Sequence, residues 1–152
     1  MRELHLTDRQ RLILEGKICP YCGRPTIYVD SSIIYGTSYG NIYLCEDCEA
    51  FVGVHKGTDK ALGRVAKRKL RQLKREAHKY FDLIWQLKYM TRYDAYGWLS
   101  NILDLPREYT HIGMFQESTC ETVITYSKLL LNDFRALDIS KGREPATPYF
   151  DI

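Results

Sequence analysis

The sequence predicts an α+β fold: a zinc ribbon, made of a β-hairpin with two Cys-x-x-Cys turns, followed by a long basic helix and a small helical bundle. The two Cys-x-x-Cys pairs are 22 residues apart, and the segment between them is rich in β-branched residues and tyrosine. After residue 59, apolar residues recur every three or four positions, which is the period of an α-helix. These patterns divide the chain into an N-terminal helix, a ribbon, a helical domain and a tail, at residues 1–16, 17–57, 58–139 and 140–152.

The N-terminal helix is predicted over residues 7–15. Thr7 and Gln10 stand three positions apart, as in a capping box, where each side chain bonds the backbone amide of the other residue. Gly16 follows them, and glycine is typical of helix ends.

The hairpin is predicted from two segments, 27–35 and 41–44, which carry the β-branched and aromatic residues typical of strands. The stretch GTSYG at 36–40 lies between them and has the glycine and serine residues of a turn. Residues 50–54 predict a further short strand after the second Cys pair.

Three helices are predicted in the second half of the chain. The first spans residues 59–89, and its apolar positions form one stripe: Leu62, Ala66, Leu70, Leu73, Ala77, Phe81 and Ile84. The second spans residues 93–104 and ends before Pro106, because proline disfavours helical backbone in the residue before it. The third spans 118–137, with Ser118 as its predicted N-cap and Glu121 as the capping partner.

The four paired cysteines, Cys19, Cys22, Cys45 and Cys48, predict one structural zinc site. Each Cys-x-x-Cys turn offers two sulfurs to the same ion, and the hairpin brings the two turns together. Zinc accepts four thiolates tetrahedrally, which leaves no open position for water or substrate. The predicted cofactor is therefore one Zn2+ that holds the fold and does no chemistry.

Two other roles of these cysteines are a redox dithiol and an iron–sulfur cluster. A redox dithiol of the thioredoxin type needs one Cys-x-x-Cys pair near a βαβ pattern, which this sequence lacks. Four cysteines can also hold an iron–sulfur cluster, and this remains the alternative metal centre. Cys120 stands alone and is expected to be a small buried apolar residue.

The compartment is predicted from the same residues. An odd number of cysteines, four of them at metal spacing, fits a reducing compartment better than a disulfide framework. No run approaches the length of about 18 apolar residues that suggests a membrane span. The chain is therefore predicted to be cytoplasmic, without a membrane partner.

The charges are unevenly distributed along the chain. Residues 56–79 contain ten of the 22 basic residues but two of the 19 acidic ones, so this segment carries +8 and the rest carries −5. On the predicted helix the cations fall along one face, opposite the apolar stripe, over about 25 Å. An ordinary solvated face mixes Glu with Lys, so the pattern indicates a polyanionic partner.

The predicted nucleic-acid contacts are cations of that face, two tyrosines at the hairpin tip and one histidine: Lys60, Arg64, Lys67, Arg68, Arg71, Lys74, Arg75, Tyr35, Tyr39 and His55. Cations contact phosphates in a salt-dependent manner, and tyrosines stack on unpaired bases. The alternative is structural, because Lys and Arg are good helix formers and tyrosine favours strands.

The predicted function is non-catalytic nucleic-acid binding through these phosphate contacts. No Ser/His/Asp set, phosphate-binding loop or carboxylate pair with catalytic spacing occurs, so the chain is not expected to be an enzyme. The alternative is a protein–protein adaptor or inhibitor that docks on a host complex, in which zinc is purely structural.

Six stretches of the chain resemble a family of small phage and bacterial zinc-finger-containing proteins: CPYCG at 19–23, CEDCEAFVGVHKGT at 45–58, ALGRVA at 61–66, AHKYFDLIW at 77–85, RYDAYGWL at 92–99 and HIGMFQESTC at 111–120. The resemblance implies a zinc-ribbon half followed by a helical half, in a phage or mobile-element setting. It implies no activity. Lys60 and Ala61 stand where the family tends to have a proline, a departure that would shift the helix start.

Overall fold

The computed structural model describes residues 5–152, and within this range the fold is α+β, as predicted. Residue contacts divide it into two compact units. The ribbon unit holds residues 5–72 and 113–115, and the helical unit holds 73–112 and 116–152. The described range contains five α-helices and three strands, in the order α1 (Asp8–Leu14), β1 (Ile27–Asp30), α2 (Ser32–Tyr35), β2 (Asn41–Cys45), β3 (Ala50–Gly53), α3 (Arg68–Gln86), α4 (Arg92–Leu103) and α5 (Glu117–Ser140).

Helix α1 begins with the predicted capping box. The Gln10 amide donates to the Thr7 hydroxyl oxygen at 3.1 Å, and the Thr7 amide donates to the Gln10 side chain at 2.8 Å. The pair satisfies two backbone amides that the first helical turn leaves without intrahelical partners. The prediction from these two residues is confirmed.

The three strands form one antiparallel sheet in the order β1-β2-β3. Directly paired residues share a face of a sheet, so Leu44 and Phe51, which pair with each other, lie together on one face, here termed the outer face. The inner face and the segments packed on it form the core of the ribbon unit: Cys19, Tyr43, Cys45, Ala50, Val52 and Val65.

The first predicted strand is too long. Strand β1 ends at Asp30, and the chain then forms the single turn of α2 instead of continuing as a strand. The Asp30 carboxylate accepts hydrogen bonds from the Ser32 amide at 2.8 Å and from the Ser38 hydroxyl at 2.7 Å. Such local bonds compete with strand pairing, and they hold the pKa of Asp30 below its usual value.

The long helix is also shorter than predicted, because α3 begins at Arg68 and not at residue 59. Residues 60–66 instead form a bent segment that meets the sheet at isolated bridges. The Ala66 amide donates to the Phe51 carbonyl at 3.0 Å, and the Phe51 amide donates back to the Ala66 carbonyl at 3.2 Å. Bonds to the sheet thus satisfy the amides of Leu62 and Ala66 without a helix. Lys60 and Arg64 therefore do not lie on the helix, which corrects their predicted place on its basic face.

Two glycines allow a close approach inside the ribbon unit. A Cβ on Gly63 would lie 1.8 Å from the Gly113 carbonyl oxygen, and a Cβ on Gly113 would lie 2.1 Å from the Leu62 carbonyl oxygen. No side chain fits at either position, since real Cβ atoms essentially never lie within 3.0 Å of such an atom. Beside this contact, Arg64 Nε donates to the Met114 carbonyl at 3.0 Å.

The helical unit is packed from α4, α5 and most of α3. Its buried side chains include Phe81 and Ile84 of the predicted apolar stripe, and Cys120 is fully buried, as expected. Leu62, which the sequence placed in the same stripe, is 47% exposed because it precedes the helix. No helix among residues 5–152 is long and apolar enough to cross a membrane.

Helix α5 begins one residue earlier than predicted and without the expected capping box. Its N-cap is Gln116, and this residue makes no capping hydrogen bond through its side chain. Ser118 instead lies inside the first turn, where its carbonyl accepts a hydrogen bond from the Thr122 hydroxyl at 3.0 Å. The pairing of Ser118 with Glu121 was therefore wrong.

The tail after α5 is irregular, and side chains of the helical unit bond to it. Asn132 donates to the Phe150 carbonyl and accepts from the Phe150 amide, both at 2.9 Å. The Asp138 carboxylate accepts from the Tyr89 hydroxyl at 2.7 Å and from Arg143 Nε at 3.0 Å. These bonds connect the tail to α5 and to the segment after α3.

We expect Asp138→Asn to destabilise the helical unit at pH 7 and to matter less in acid. A hydrogen bond from the Tyr89 hydroxyl holds the pKa of Asp138 below its ordinary value. Burial of the carboxylate opposes this effect, and Arg143 adds to it. A lowered carboxyl pKa contributes stability above about pH 3.9, the unfolded value, and this is lost as the pH falls through the folded-state pKa. Urea unfolding followed by tryptophan fluorescence measures this unit, because both tryptophans, Trp85 and Trp98, lie in it. A parent–variant difference that stays constant down to pH 3 would contradict the expectation.

Candidate metal centre

The four predicted ligands converge in the ribbon unit. The Sγ atoms of Cys19, Cys22, Cys45 and Cys48 all lie within 4.8 Å of one another, and those of Cys22 and Cys45 are 3.7 Å apart. A tetrahedral zinc site with Zn–S bonds of about 2.3 Å has sulfur–sulfur edges of about 3.8 Å. No other group of three or more His, Cys, Asp or Glu side chains in the described part of the chain is placed to hold a metal ion.

The first Cys turn is closed by its own backbone. The Gly23 amide donates to the Cys19 carbonyl at 2.8 Å, and the Cys19 amide donates to the Arg24 carbonyl at 2.9 Å. Gly23 has φ +78°, a left-handed conformation that glycine adopts without steric cost. The Arg24 amide hydrogen-bonds the Cys22 sulfur, which lowers the pKa of Cys22 to about 7.

The second Cys turn joins β2 to β3 and shares one feature with the first. Glu49 follows Cys48 as Gly23 follows Cys22, and it too is left-handed, with φ +53°. The Cys48 amide hydrogen-bonds the Cys45 sulfur. Backbone amides directed at thiolate sulfurs orient the ligands and stabilise their charge. An ion pair between Arg24 and Asp47 connects the two turns.

The protonation of the cysteines depends on whether a cation is bound. Burial raises the pKa of Cys45 and raises that of Cys48 to about 12, so both are thiols at neutral pH unless a cation compensates their charge. Zinc binds thiolates and releases these protons. Sulfurs this close leave room for one ion and not for a multi-iron cluster. The four cysteines are therefore positioned to bind one zinc ion, with no open coordination position.

The predicted nucleic-acid contacts are only partly brought together. Lys67, Arg68 and Arg71 gather at the start of α3, with Lys69, which the sequence analysis did not include among the contacts. These four line an open cleft of about 740 Å³ over the outer face of the sheet. Ile33 and Ile34 of α2 line the same cleft, as do Leu44 and Phe51.

Two of these cations are held against aromatic rings. Lys67 Nζ lies 4.7 Å from the centre of the Tyr21 ring, and the Arg71 guanidinium carbon lies 4.0 Å from the centre of the Phe51 ring. Arg71 also donates to the Ala66 carbonyl. Such contacts fix long side chains that would otherwise lose conformational entropy on binding a ligand.

The other predicted cations lie elsewhere. The Lys60 carbonyl accepts a hydrogen bond at 2.9 Å from the amide of His55, so the two residues close one exposed turn. Arg64 is half-buried and bonded to the backbone near residue 114. Lys74 and Arg75 lie further along α3, in the helical unit.

The two hairpin tyrosines are exposed, as predicted. Tyr35 is 54% exposed and Tyr39 is 76% exposed. Their rings pack edge to face with centres 5.5 Å apart, and the Tyr35 ring also packs against Phe51 at 5.9 Å. The contact with Phe51 brings Tyr35 to the rim of the cleft that the basic residues line.

Ile33 and Ile34 were not predicted to line a site, because the pattern of residues 27–35 predicted a strand there. The available signal was the stretch DSS at 30–32, since Asp and Ser at such positions bond the nearby backbone and favour turns. Lys69 was not among the predicted contacts because the predicted face included Lys60 and Arg64, which the structure places before α3.

A family model described as a zinc-finger-containing domain matches residues 15–129. No curated protein and no solved structure matches the chain. The matched range includes both Cys turns, the sheet and the cations at the start of α3. The match covers more than half of the chain and agrees with the geometry of the four sulfurs, so the protein belongs to this family of zinc-finger-containing domains.

Proposed function

We propose that this is a non-catalytic zinc-ribbon protein that binds nucleic acid through phosphate contacts at the start of α3. The supporting observation is the charge at that helix end. Lys67 precedes the helix, Arg68 and Lys69 begin it, and Arg71 follows within the same turn. The first turn contains no acidic residue.

This arrangement is unfavourable for an isolated helix. The N-terminus of a helix carries a partial charge of about +0.5, so acidic side chains stabilise it by about 0.3–1 kcal/mol each and basic ones oppose it. The cations also repel one another. A bound phosphate relieves both effects, because helix N-termini and basic side chains bind anions together. The protein is thus arranged to gain stability from an anionic partner.

An adaptor or inhibitor that docks on a host complex is the alternative use of the same surface. It would set an acidic protein surface against these cations. Nucleic acid is favoured because its phosphates supply closely spaced charges along a chain, which suits several neighbouring cations. Zinc has a structural role in either case.

The test replaces Lys67, Arg68 and Lys69 with Gln, which keeps helix propensity. Arg64 and Arg71 are left unchanged because they bond to the backbone within the protein. We expect weaker binding and a log–log salt dependence that is shallower by up to about 2–3 units, at about 0.9 per phosphate contact on duplex DNA. Fluorescence anisotropy across a salt series measures both quantities.

The control carries Lys17, Lys88 and Lys141 changed to Gln, three exposed lysines outside the basic segment, and should bind almost like the parent. A second variant, Arg68→Glu, should raise the melting temperature by about 1–4 °C while it weakens binding, because it places a negative charge at the helix N-terminus. Absence of binding by the parent to single- or double-stranded DNA or RNA at low salt would refute the proposal.

A further inference from the structure

We propose that the cleft beside the start of α3 takes an unpaired nucleotide, so that the protein prefers single-stranded to double-stranded nucleic acid. The inference rests on the proposed function and adds the form of the polyanion. It is carried by two groups of side chains that line the cleft and differ in chemistry.

The first group is apolar and accessible. Ile33 is 56% exposed and Ile34 is 42% exposed, although both are large apolar side chains. Helix α2 presents them at the cleft because it interrupts the hairpin after β1, so that neither residue enters the sheet. Adjacent exposed apolar side chains rimmed by charges are typical of ligand-binding grooves.

The second group is cationic and partly fixed. Arg71 is held in place by the Phe51 ring and by the Ala66 carbonyl. Its guanidinium supplies a fixed positive charge at the cleft. Lys67, Arg68 and Lys69 also line the cleft and supply charge for the phosphates. Single-stranded sites combine these features, a basic path for the backbone and flat or apolar surfaces for the bases.

A duplex would use only half of this surface. Its bases are stacked inside, and it presents phosphates to a protein that does not enter a groove. The two isoleucines would then gain no contact. An unpaired strand offers phosphates to α3 and an apolar base face to Ile33 and Ile34. The cleft volume of about 740 Å³ is within the range of about 300–1,000 Å³ that encloses small ligands.

Two carboxylates restrict how the strand lies. Glu46 and Glu49 line the cleft near Cys48, and both would repel a phosphate. The strand backbone is therefore expected to follow the cations of α3, with the base directed toward α2. An acidic peptide with apolar side chains would meet the same charges, which makes it the competing ligand for the experiment.

The experiment compares two probes by fluorescence anisotropy at low salt: an oligothymidine of about twelve nucleotides and a duplex of about the same length. We expect the parent protein to bind the single strand at least about tenfold more tightly, because only an unpaired base can contact the two isoleucines. The double variant Ile33→Ser/Ile34→Ser should lose about tenfold in affinity for the oligothymidine and keep its affinity for the duplex. Ile33→Ser alone, at the more exposed of the two positions, should lose part of the affinity for the oligothymidine.

The matched control is Ile139→Ser, because Ile139 is 51% exposed but lies on α5; it should bind both probes like the parent. Zinc content and thermal unfolding confirm that each variant folds. Equal affinity of the parent for the two probes, with no effect of the isoleucine changes, overturns the inference and leaves phosphate binding intact. Binding of neither probe overturns the proposed function as well. Binding of only a peptide of alternating Glu and Leu, lost in the double variant, identifies the cleft as a protein-docking site and also overturns the inference.

Discussion

Removal of zinc should unfold the ribbon unit. The purified protein should contain one zinc ion per chain, bound by the four cysteines of the two turns. Structural zinc contributes about 10–16 kcal/mol of apparent binding free energy at pH 7 in small domains, as much as the whole stability of a typical domain. The core of the ribbon unit is built around two of the ligands, Cys19 and Cys45, so loss of the ion also removes the support of the sheet. A chelator should therefore abolish hydrogen-exchange protection of the β2 amides.

Cys45→Ser should reproduce the effect of the chelator, because it removes one of the four sulfurs. Cys120→Ala is the matched control, because Cys120 is fully buried in the helical unit. This substitution should cost about 1 kcal/mol of stability without changing the zinc content. Elemental analysis and hydrogen exchange measure the two outcomes. Iron in place of zinc, or β2 amides that stay protected after chelation, would show that the metal assignment is wrong.

Gly63→Ala should strongly destabilise the ribbon unit. The new methyl group would lie 1.8 Å from the carbonyl oxygen of Gly113, and backbone on both sides leaves no flexible side chain that can move away. Overpacking of this kind costs about 1–3 kcal/mol and sometimes more. At about 2–4 °C per kcal/mol for a protein of this size, we expect the melting temperature to fall by about 5–10 °C.

The control is Gly53→Ala in β3, where the added Cβ would meet only the Leu62 side chain at 3.6 Å, an ordinary contact. It should leave the melting temperature within about 2 °C of the parent, because alanine is at least as suitable as glycine in a strand interior. Gly113→Ala should match Gly63→Ala, since it meets the Leu62 carbonyl oxygen at 2.1 Å. Tolerance of both changes at Gly63 and Gly113 would mean that the two backbones do not approach as closely as described.

The zinc site and several local features were determined by the sequence alone. Four cysteines at this spacing predict their own convergence, because one tetrahedral ion requires all four sulfurs within a few ångströms of each other. The capping box of Thr7 and Gln10 and the end of α4 before Pro106 were also predicted correctly. Each of these two local features depends on residues that lie within a few positions of one another in the chain.

The start of α3 and the cleft beside it were decided only by the tertiary structure. Apolar periodicity extended the helix back to residue 59, but Ala66 instead pairs with Phe51, and Gly63 meets Gly113, which lies 50 residues further along. The position of Ile33 and Ile34 at the cleft depends likewise on the turn that Asp30 stabilises and on the outer face of the sheet, which lines the same cleft. Backbone hydrogen bonds to a distant strand can replace helical ones at almost no net cost, so local pattern alone does not determine which of them form.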